Sequence, residues 1–265
     1  MKLVLFCDCG LNDAAAAVDA LAHSKEDGYE EVVIVAIGGN VPSSISLRNA
    51  IRLVSNCDFE FAPVTVVDTT GEEQPFEFLT SVHGGDGMGD LFRDKPFHAK
   101  VLPFGEWLEG FSDDYNLLSL GPMTLVPALL KKRAPKRFVF SGGNVAEDSD
   151  FHGYEFNHAL DKNAFREAVA YPHVAVTADT CRNPFLNIRS ERIEGKSVMG
   201  KIVSRARDLL LMSGEAGCCI REDIAVKYLR HPDWFTLRYG EDGDGNGITY
   251  AEFVHGEKYL NLLEK

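Results

Sequence analysis

The stretch that most constrains this chain is its first fourteen residues, MKLVLFCDCGLNDA. Leu3-Val4-Leu5-Phe6 is apolar at every position, so the strand it forms must be buried on both faces, as inside a parallel sheet. Asp8, Gly10, Asn12 and Asp13 follow at once, and an alanine-rich helix begins at Asp13. The sequence therefore reads as strand, tight acid-bearing turn, helix. In an open α/β sheet such a turn lies at the carboxyl ends of the strands, where ligands bind. Two carboxylates on one tight turn can converge on a single cation, which makes this a candidate hard-metal site. The plainer reading is that Asp8 and Asp13 cap the helix, a contribution of about 0.5–2 kcal/mol.

The same grammar repeats along the chain. A helix over Asp13 to His23 leads to a strand over Glu31 to Ile37, which opens into Gly38-Gly39-Asn40. A helix over Ser46 to Val54 and a third strand, Val64 to Val67, come next. The loop Val82 to Asp90 packs four glycines into six residues, so its backbone adopts unusual conformations or lies close against something. Tyr115 to Leu120 is a strand running into Gly121-Pro122-Met123-Thr124 and a helix over Leu125 to Lys132. Arg137 to Phe140 ends at Ser141-Gly142-Gly143, and a helix, Lys162 to Ala170, precedes a strand over Val174 to Val176. Helices are predicted over Gly200 to Met212 and Ile224 to Leu229. No linker interrupts the pattern. The prediction is one α/β domain over 1-265, with a mostly parallel Rossmann-like sheet and helices on both faces. The strand-end turns share one edge, which would gather Asp8, Asn12, Asp13, Asn40, His83, Thr124, Glu155 and Asn157.

From Trp234 onward the chain reads as a hairpin around Gly240 to Gly247. Asp242-Gly243-Asp244-Gly245-Asn246-Gly247 resembles the first half of an EF-hand calcium loop. The twelfth position of that loop holds Phe253 instead of glutamate, and the flanks read as strands, so a hairpin turn is the better reading.

Composition removes several function classes. The formal charge of −13 opposes binding to a nucleic-acid backbone, which needs clustered lysine and arginine. The densest basic cluster, Lys131-Lys132-Arg133 with Lys136-Arg137, reads as a solvated helix end. Six cysteines, with Cys7 and Cys9 about Asp8 and Cys218 beside Cys219, give neither a zinc pattern nor a disulfide scaffold. Reduced thiols in a cytoplasmic protein fit them, and Cys7 and Cys9 read as inert buried residues. No apolar run approaches the roughly 20 residues of a membrane span, and the N-terminus is too short in apolar residues for a signal peptide. A haloacid-dehalogenase-type phosphatase would need a carboxylate two residues after Asp8, where Gly10 stands.

Taken together, the loops resemble the inosine-uridine-type nucleoside hydrolases. That family's D-x-D-P-G-x-D-D-A turn is matched by Phe6-Cys7-Asp8-Cys9-Gly10-Leu11-Asn12-Asp13-Ala14, and its G-G-N and R-N-A by Gly38-Gly39-Asn40 and Arg48-Asn49-Ala50. His83-Gly84-Gly85-Asp86-Gly87-Met88 matches H-G-x-x-G-L, and Leu120-Gly121-Pro122-Met123-Thr124 matches L-G-P-L-T. Ser141-Gly142-Gly143 with Glu155-Phe156-Asn157 matches M-G-G with E-F-N. Glu222-Asp223-Ile224-Ala225 matches the late H-D-P-x-A.

The resemblance implies a nucleoside hydrolase fold and calcium-dependent hydrolysis of the N-glycosidic bond of a ribonucleoside or related ribosyl compound. It implies Ca2+ held by Asp8, Asp13, the Thr124 carbonyl and Asp223, a hard-oxygen set. Asp8 would act as general base on a water whose pKa the metal lowers, with Asn40 as its catalytic neighbour. The bond would break through an oxocarbenium-like state. Asn12, Asn40, Glu155 and Asn157 would bind the ribose, with His83 and Phe156 near the sugar or base and Glu222 in the place of a leaving-group acid. No nucleic-acid or membrane partner is implied, and a homodimer or homotetramer is the family expectation.

The departures are Phe6 and Asn12 for aspartates, Cys9 for proline, Ser141 for methionine, Ser149 for a loop asparagine and Glu222 for histidine. They admit an alternative, a catalytically weak member that binds or senses a ribonucleoside. The plain readings beside these are a turn histidine for His83 and a solvated helix-start carboxylate for Glu222.

Overall fold

The computed structural model describes residues 1–96, 100–146, 151, 153–188, 197–215, 217–253 and 259; Ser149 lies outside the described residues. Among the described residues nine strands form one sheet in the order β4-β3-β2-β1-β5-β6-β7-β9-β8. They are β1 Lys2–Cys7, β2 Glu31–Ala36, β3 Val64–Asp68, β4 Lys100–Pro103, β5 Tyr115–Ser119, β6 Arg137–Ser141, β7 Val174–Val176, β8 Phe235–Glu241 and β9 Gly247–Phe253. Every pairing is parallel except β8 with β9. This is the mostly parallel α/β sheet that the sequence predicts.

Alternation along the strands builds two cores. Leu3, Leu5 and Cys7 face one, Val4 and Phe6 the other, as the two-residue period of a strand requires. The first face is covered by α1 Leu11–His23, α2 Ser43–Asn56, α8 Val198–Met212 and α9 Arg221–Arg230, through residues such as Leu53, Ile202 and Ile224. The second is covered by α4 Phe104–Gly110, α5 Val126–Lys132 and α7 Lys162–Val169, through Trp107, Leu129 and Phe165. Ala14 to Ala17 are all fully buried, because α1 is packed by α8 and α9 as well as by the sheet.

Two short helices, α3 Thr80–His83 and α6 Phe156–Leu160, sit in loops that the sequence presents as irregular. The unit β4–α4 is not foreseen either. β4 is a four-residue edge strand with three exposed residues, so it lacks the apolar run that marks the buried strands. The tail is a hairpin, as predicted. Asp242 Oδ1 accepts from the amides of Asp244 and Asn246, and its Oδ2 accepts from Asn246 Nδ2, so this aspartate organises the turn. Among the described residues no helix is long and apolar enough to cross a membrane.

The topology fixes where a site can form. Chain order leaves β1 in one direction through β2 and β3, and returns on its other side with β5 and β6. A crevice opens at such a reversal, outside the carboxyl ends of the central strands. Asp8 follows β1 and the Leu120–Thr124 turn follows β5, so both stand on its rim.

Candidate active site

Asp8 is fully buried at the end of β1. The turn after β2 holds it: the Asn40 amide N–H donates to Asp8 Oδ2 at 2.7 Å, and Asn40 Nδ2 donates to Oδ1 at 3.0 Å. The same Nδ2 donates to Asp13 Oδ2 at 3.2 Å, so one asparagine bridges two buried carboxylates. The glycine before it is obligatory, since a Cβ on Gly39 would stand 2.1 Å from Asp8 Oδ2. A Cβ on Gly10 would meet Asn40 Nδ2 at 2.7 Å and the His83 ring at 2.9 Å. The G-G-N and C-G-L-N-D turns are thus two halves of one close contact.

Burial raises the Asp8 carboxyl to about 6; the Glu222 charge adds to this, and bonds from Asp13 and Asn40 oppose it. Asp13 is pushed well above the usual carboxylate range by burial, then by the charges of Asp8 and Glu222.

The other wall comes from β5, β6 and the start of α9. Asn157 Nδ2 donates to the carbonyls of Leu120 (2.9 Å) and Ser141 (3.2 Å), tying the two strand ends together. Glu155 caps α6: its Oε2 accepts from the amides of His158 (3.2 Å) and Gly143 (2.9 Å), and its Oε1 is gripped by Arg221 Nη2. Arg221 Nε donates to Ser141 Oγ at 2.9 Å, and Ser141 Oγ donates in turn to Glu222 Oε1 at 3.2 Å. Arg221 Nη2 is also 3.6 Å from Glu222 Oε1. The nearby carboxylates raise the Arg221 proton affinity further, despite its burial.

Arg221 is the functional-site residue that sequence reasoning missed, and a signal for it existed. The late motif has five positions. Set without a gap and with its alanine on Ala225, it puts the histidine on Arg221 and the aspartate on Glu222, one residue earlier than the match quoted above.

Geometry agrees with that earlier register. Successive helical residues diverge by roughly 100°, so Glu222 and Asp223 cannot share a direction. The charge of Glu222 reaches Asp8 and Asp13. Asp223 has a different set of neighbours. It is fully buried, with Lys227 Nζ 3.9 Å from its Oδ1 and Asp19 and the Tyr259 hydroxyl among its neighbours. Burial raises it to about 7, against the pull of Lys227.

The donor chemistry fits a hard cation in part. Asp13 Oδ1, Glu222 Oε2, Thr124 Oγ1 and both carboxylate oxygens of Asp223 are buried without a hydrogen-bond partner among the described residues, and unpaired buried oxygens suit calcium. Among the described residues, however, no three His, Cys, Asp or Glu side chains are grouped so as to hold a metal ion. The structure thus brings Asp8 and Asp13 together with the charge of Glu222 reaching them, while Asp223 lies beside Lys227 and Asp19.

The remaining predicted residues divide between open and committed. Asn12, the second residue of α1, is half-buried and makes no hydrogen bond among the described residues, so its amide is open to a ligand. Phe156 is half-buried and packs edge-on against Phe151 at 5.2 Å. His83 lies at the site, but its Nδ1 accepts from the amide of Leu11 at 3.1 Å and so caps α1. Burial depresses the ring to about 4, which keeps it neutral.

Comparison with known proteins agrees with this architecture. The family model described as inosine-uridine preferring nucleoside hydrolase matches residues 3–257. The probable uridine nucleosidase 1 of Oryza sativa subsp. japonica is 26% identical over 264 residues, covering 90% of this chain and 79% of that protein. The pyrimidine-specific ribonucleoside hydrolase RihB of Escherichia coli O17:K52:H18 is 25% identical over 293 residues, covering 100% and 89%. Among solved structures, the purine-preferring ribonucleoside hydrolase from Gardnerella vaginalis superposes with a TM-score of 0.79 at 20% identity, over 100% of this chain and 97% of that one, a likeness of fold.

Proposed function

Since the chain belongs to the inosine-uridine preferring nucleoside hydrolase family, we propose that it cleaves the N-glycosidic bond of a ribonucleoside or a related ribosyl compound with Asp8 as general base and calcium as cofactor. The observation that carries this reading is the Asp8–Asn40–Asp13 cluster: two buried carboxylates aligned by one asparagine at the crevice edge. Asp8 takes a proton from the attacking water, and Asn40 fixes the direction of both carboxylates. Asp13 and Asp8 are the residues that would hold a calcium ion, with Glu222 completing the acidic wall. When bound, the ion supplies positive charge that orients sugar hydroxyls and makes a water more acidic. Asn12, with its amide uncommitted, binds a ribose hydroxyl. Arg221 holds Glu155, and Asn157 holds two strand ends, so both shape the sugar end of the crevice.

A second reading has its own support. Both carboxylate oxygens of Glu155 and the Asn157 Nδ2 are spent on the protein itself. Fewer sugar contacts suit a member that binds a ribonucleoside and turns it over weakly. The two readings separate when the purified protein is incubated with a panel of purine and pyrimidine nucleosides, with and without a calcium chelator, and released reducing sugar is measured. Chelator-sensitive release that disappears in Asp8→Asn supports the hydrolase. Thermal stabilisation by ribonucleosides without any release supports the binding protein.

A further inference from the structure

The hydrolytic reading makes no use of the cysteines, yet two that are 38 positions apart meet. Cys181 lies in the first 3-10 turn after β7, Thr180–Arg182, and Cys219 lies in the segment leading into α9. Their sulfurs are 2.7 Å apart, within about 0.7 Å of a disulfide bond length. Both residues are partly exposed, as is Cys57, whereas Cys7, Cys9 and Cys218 are buried; only Cys181 and Cys219 of the partly exposed three meet each other.

The main chain fixes this meeting. Ile188 and Cys218 exchange backbone hydrogen bonds of 2.7 and 2.8 Å, which pins the strand-like segment beside Cys219. On the other side Thr180 Oγ1 donates to the Ala251 carbonyl at 2.6 Å, and the Cys181 amide donates to the Ala178 carbonyl at 3.1 Å. Two anchored backbones therefore present two reachable thiols to each other.

We infer that Cys181 and Cys219 form a redox-modification site that accepts low-molecular-weight disulfides of the glutathione class as oxidant. One thiolate attacks a sulfur of the small disulfide, forming a mixed disulfide and releasing one small thiol. The second thiolate then attacks the protein sulfur of that mixed disulfide, forming the Cys181–Cys219 bond and releasing the second small thiol. Two protein thiols are oxidised and one small disulfide is reduced to two thiols, so electrons and protons balance. The bond closes a long loop and ties the start of α9 to the end of β7. Its reach extends to the candidate active site, because Cys219 stands two residues before Arg221 and Cys181 lies within electrostatic reach of that guanidinium.

The test needs no assumption about catalysis. The fully reduced protein is treated with oxidised glutathione, its free thiols are titrated, and its peptides are mapped by mass spectrometry without reduction. The expected result is loss of two of the six thiols, one Cys181–Cys219 cross-linked peptide, no retained glutathione, and reversal by dithiothreitol. In Cys219→Ser and Cys181→Ser the remaining partner retains a glutathione adduct and no cross-link forms. Six free thiols after treatment, a Cys7–Cys9 cross-link in its place, or a stable glutathione adduct on Cys181 or Cys219 of the unmutated protein would each overturn the inference.

Discussion

Glu222 and Asp223 are neighbours in the chain and belong to two different clusters. Asp8 and Asp13 are buried carboxylates joined by the Asn40 amide, and the charge of buried Glu222 reaches both. The nearest cation there, Arg221, is shared between Glu155 and Glu222. Asp223 stands with Asp19, and between them lies Lys227, whose Nζ is 2.8 Å from Asp19 Oδ1. The second cluster brings its own positive charge and fastens α1 to α9. The first pairs Glu222 with Arg221 but gives Asp8 and Asp13 no cation among the described residues, the electrostatic mark of a site built to hold something.

Substitutions can break this comparison. The largest effect is expected for Asp8→Asn, which keeps the shape and removes the base: kcat/KM for nucleoside hydrolysis should fall about 10³-fold, roughly 4 kcal/mol in transition-state stabilisation. Steady-state kinetics on the best substrate from the nucleoside panel measures it. Next is Lys227→Met. Removing the cation from between Asp19 and Asp223 should cost about 3 kcal/mol of folding stability in urea denaturation. A loss under about 1 kcal/mol would mean that the second cluster is no lock.

Calcium sharpens the contrast further. At pH 7.5 it should raise the melting temperature by a few degrees, an effect absent in Asp13→Asn. Binding needs ionised carboxylates, so the shift should fade as pH falls through about 6, where Asp8 takes up its proton. The smallest effect concerns His83. Its folded pKa of about 4 lies below the ordinary histidine value, so its neutral cap adds stability that is complete above about pH 6.5 and is lost as pH falls toward 4. The ring resonances of His83 should show no protonation between pH 7 and 5; a midpoint near 6.5 would contradict its burial as a helix cap.

Much of this was legible in the sequence, for a physical reason. Strands buried on both faces must be apolar throughout, so β1, β2, β5 and β6 stand out as runs. Their turns must then carry the polar groups, which is why Asp8, Asp13 and Asn40 could be grouped in advance. β4 escaped notice because an exposed edge strand has no such signature. The start of α9 was harder, since a one-residue slip in a helix turns a side chain by roughly 100°. That slip separates Glu222, whose charge reaches Asp8 and Asp13, from Asp223, and it hides Arg221. The committed state of His83, Glu155 and Asn157 was not readable either, because it depends on backbone groups brought in from other loops.

The measurement that tests the central claim most directly compares Glu222→Gln with Asp223→Asn, each shown to unfold cooperatively, in calcium-dependent nucleoside hydrolysis. The account predicts that Glu222→Gln lowers kcat/KM by more than about tenfold, roughly 1.4 kcal/mol, while Asp223→Asn stays within about threefold of the unmutated protein. The reverse order, with Asp223→Asn inactive and Glu222→Gln unimpaired, would contradict it.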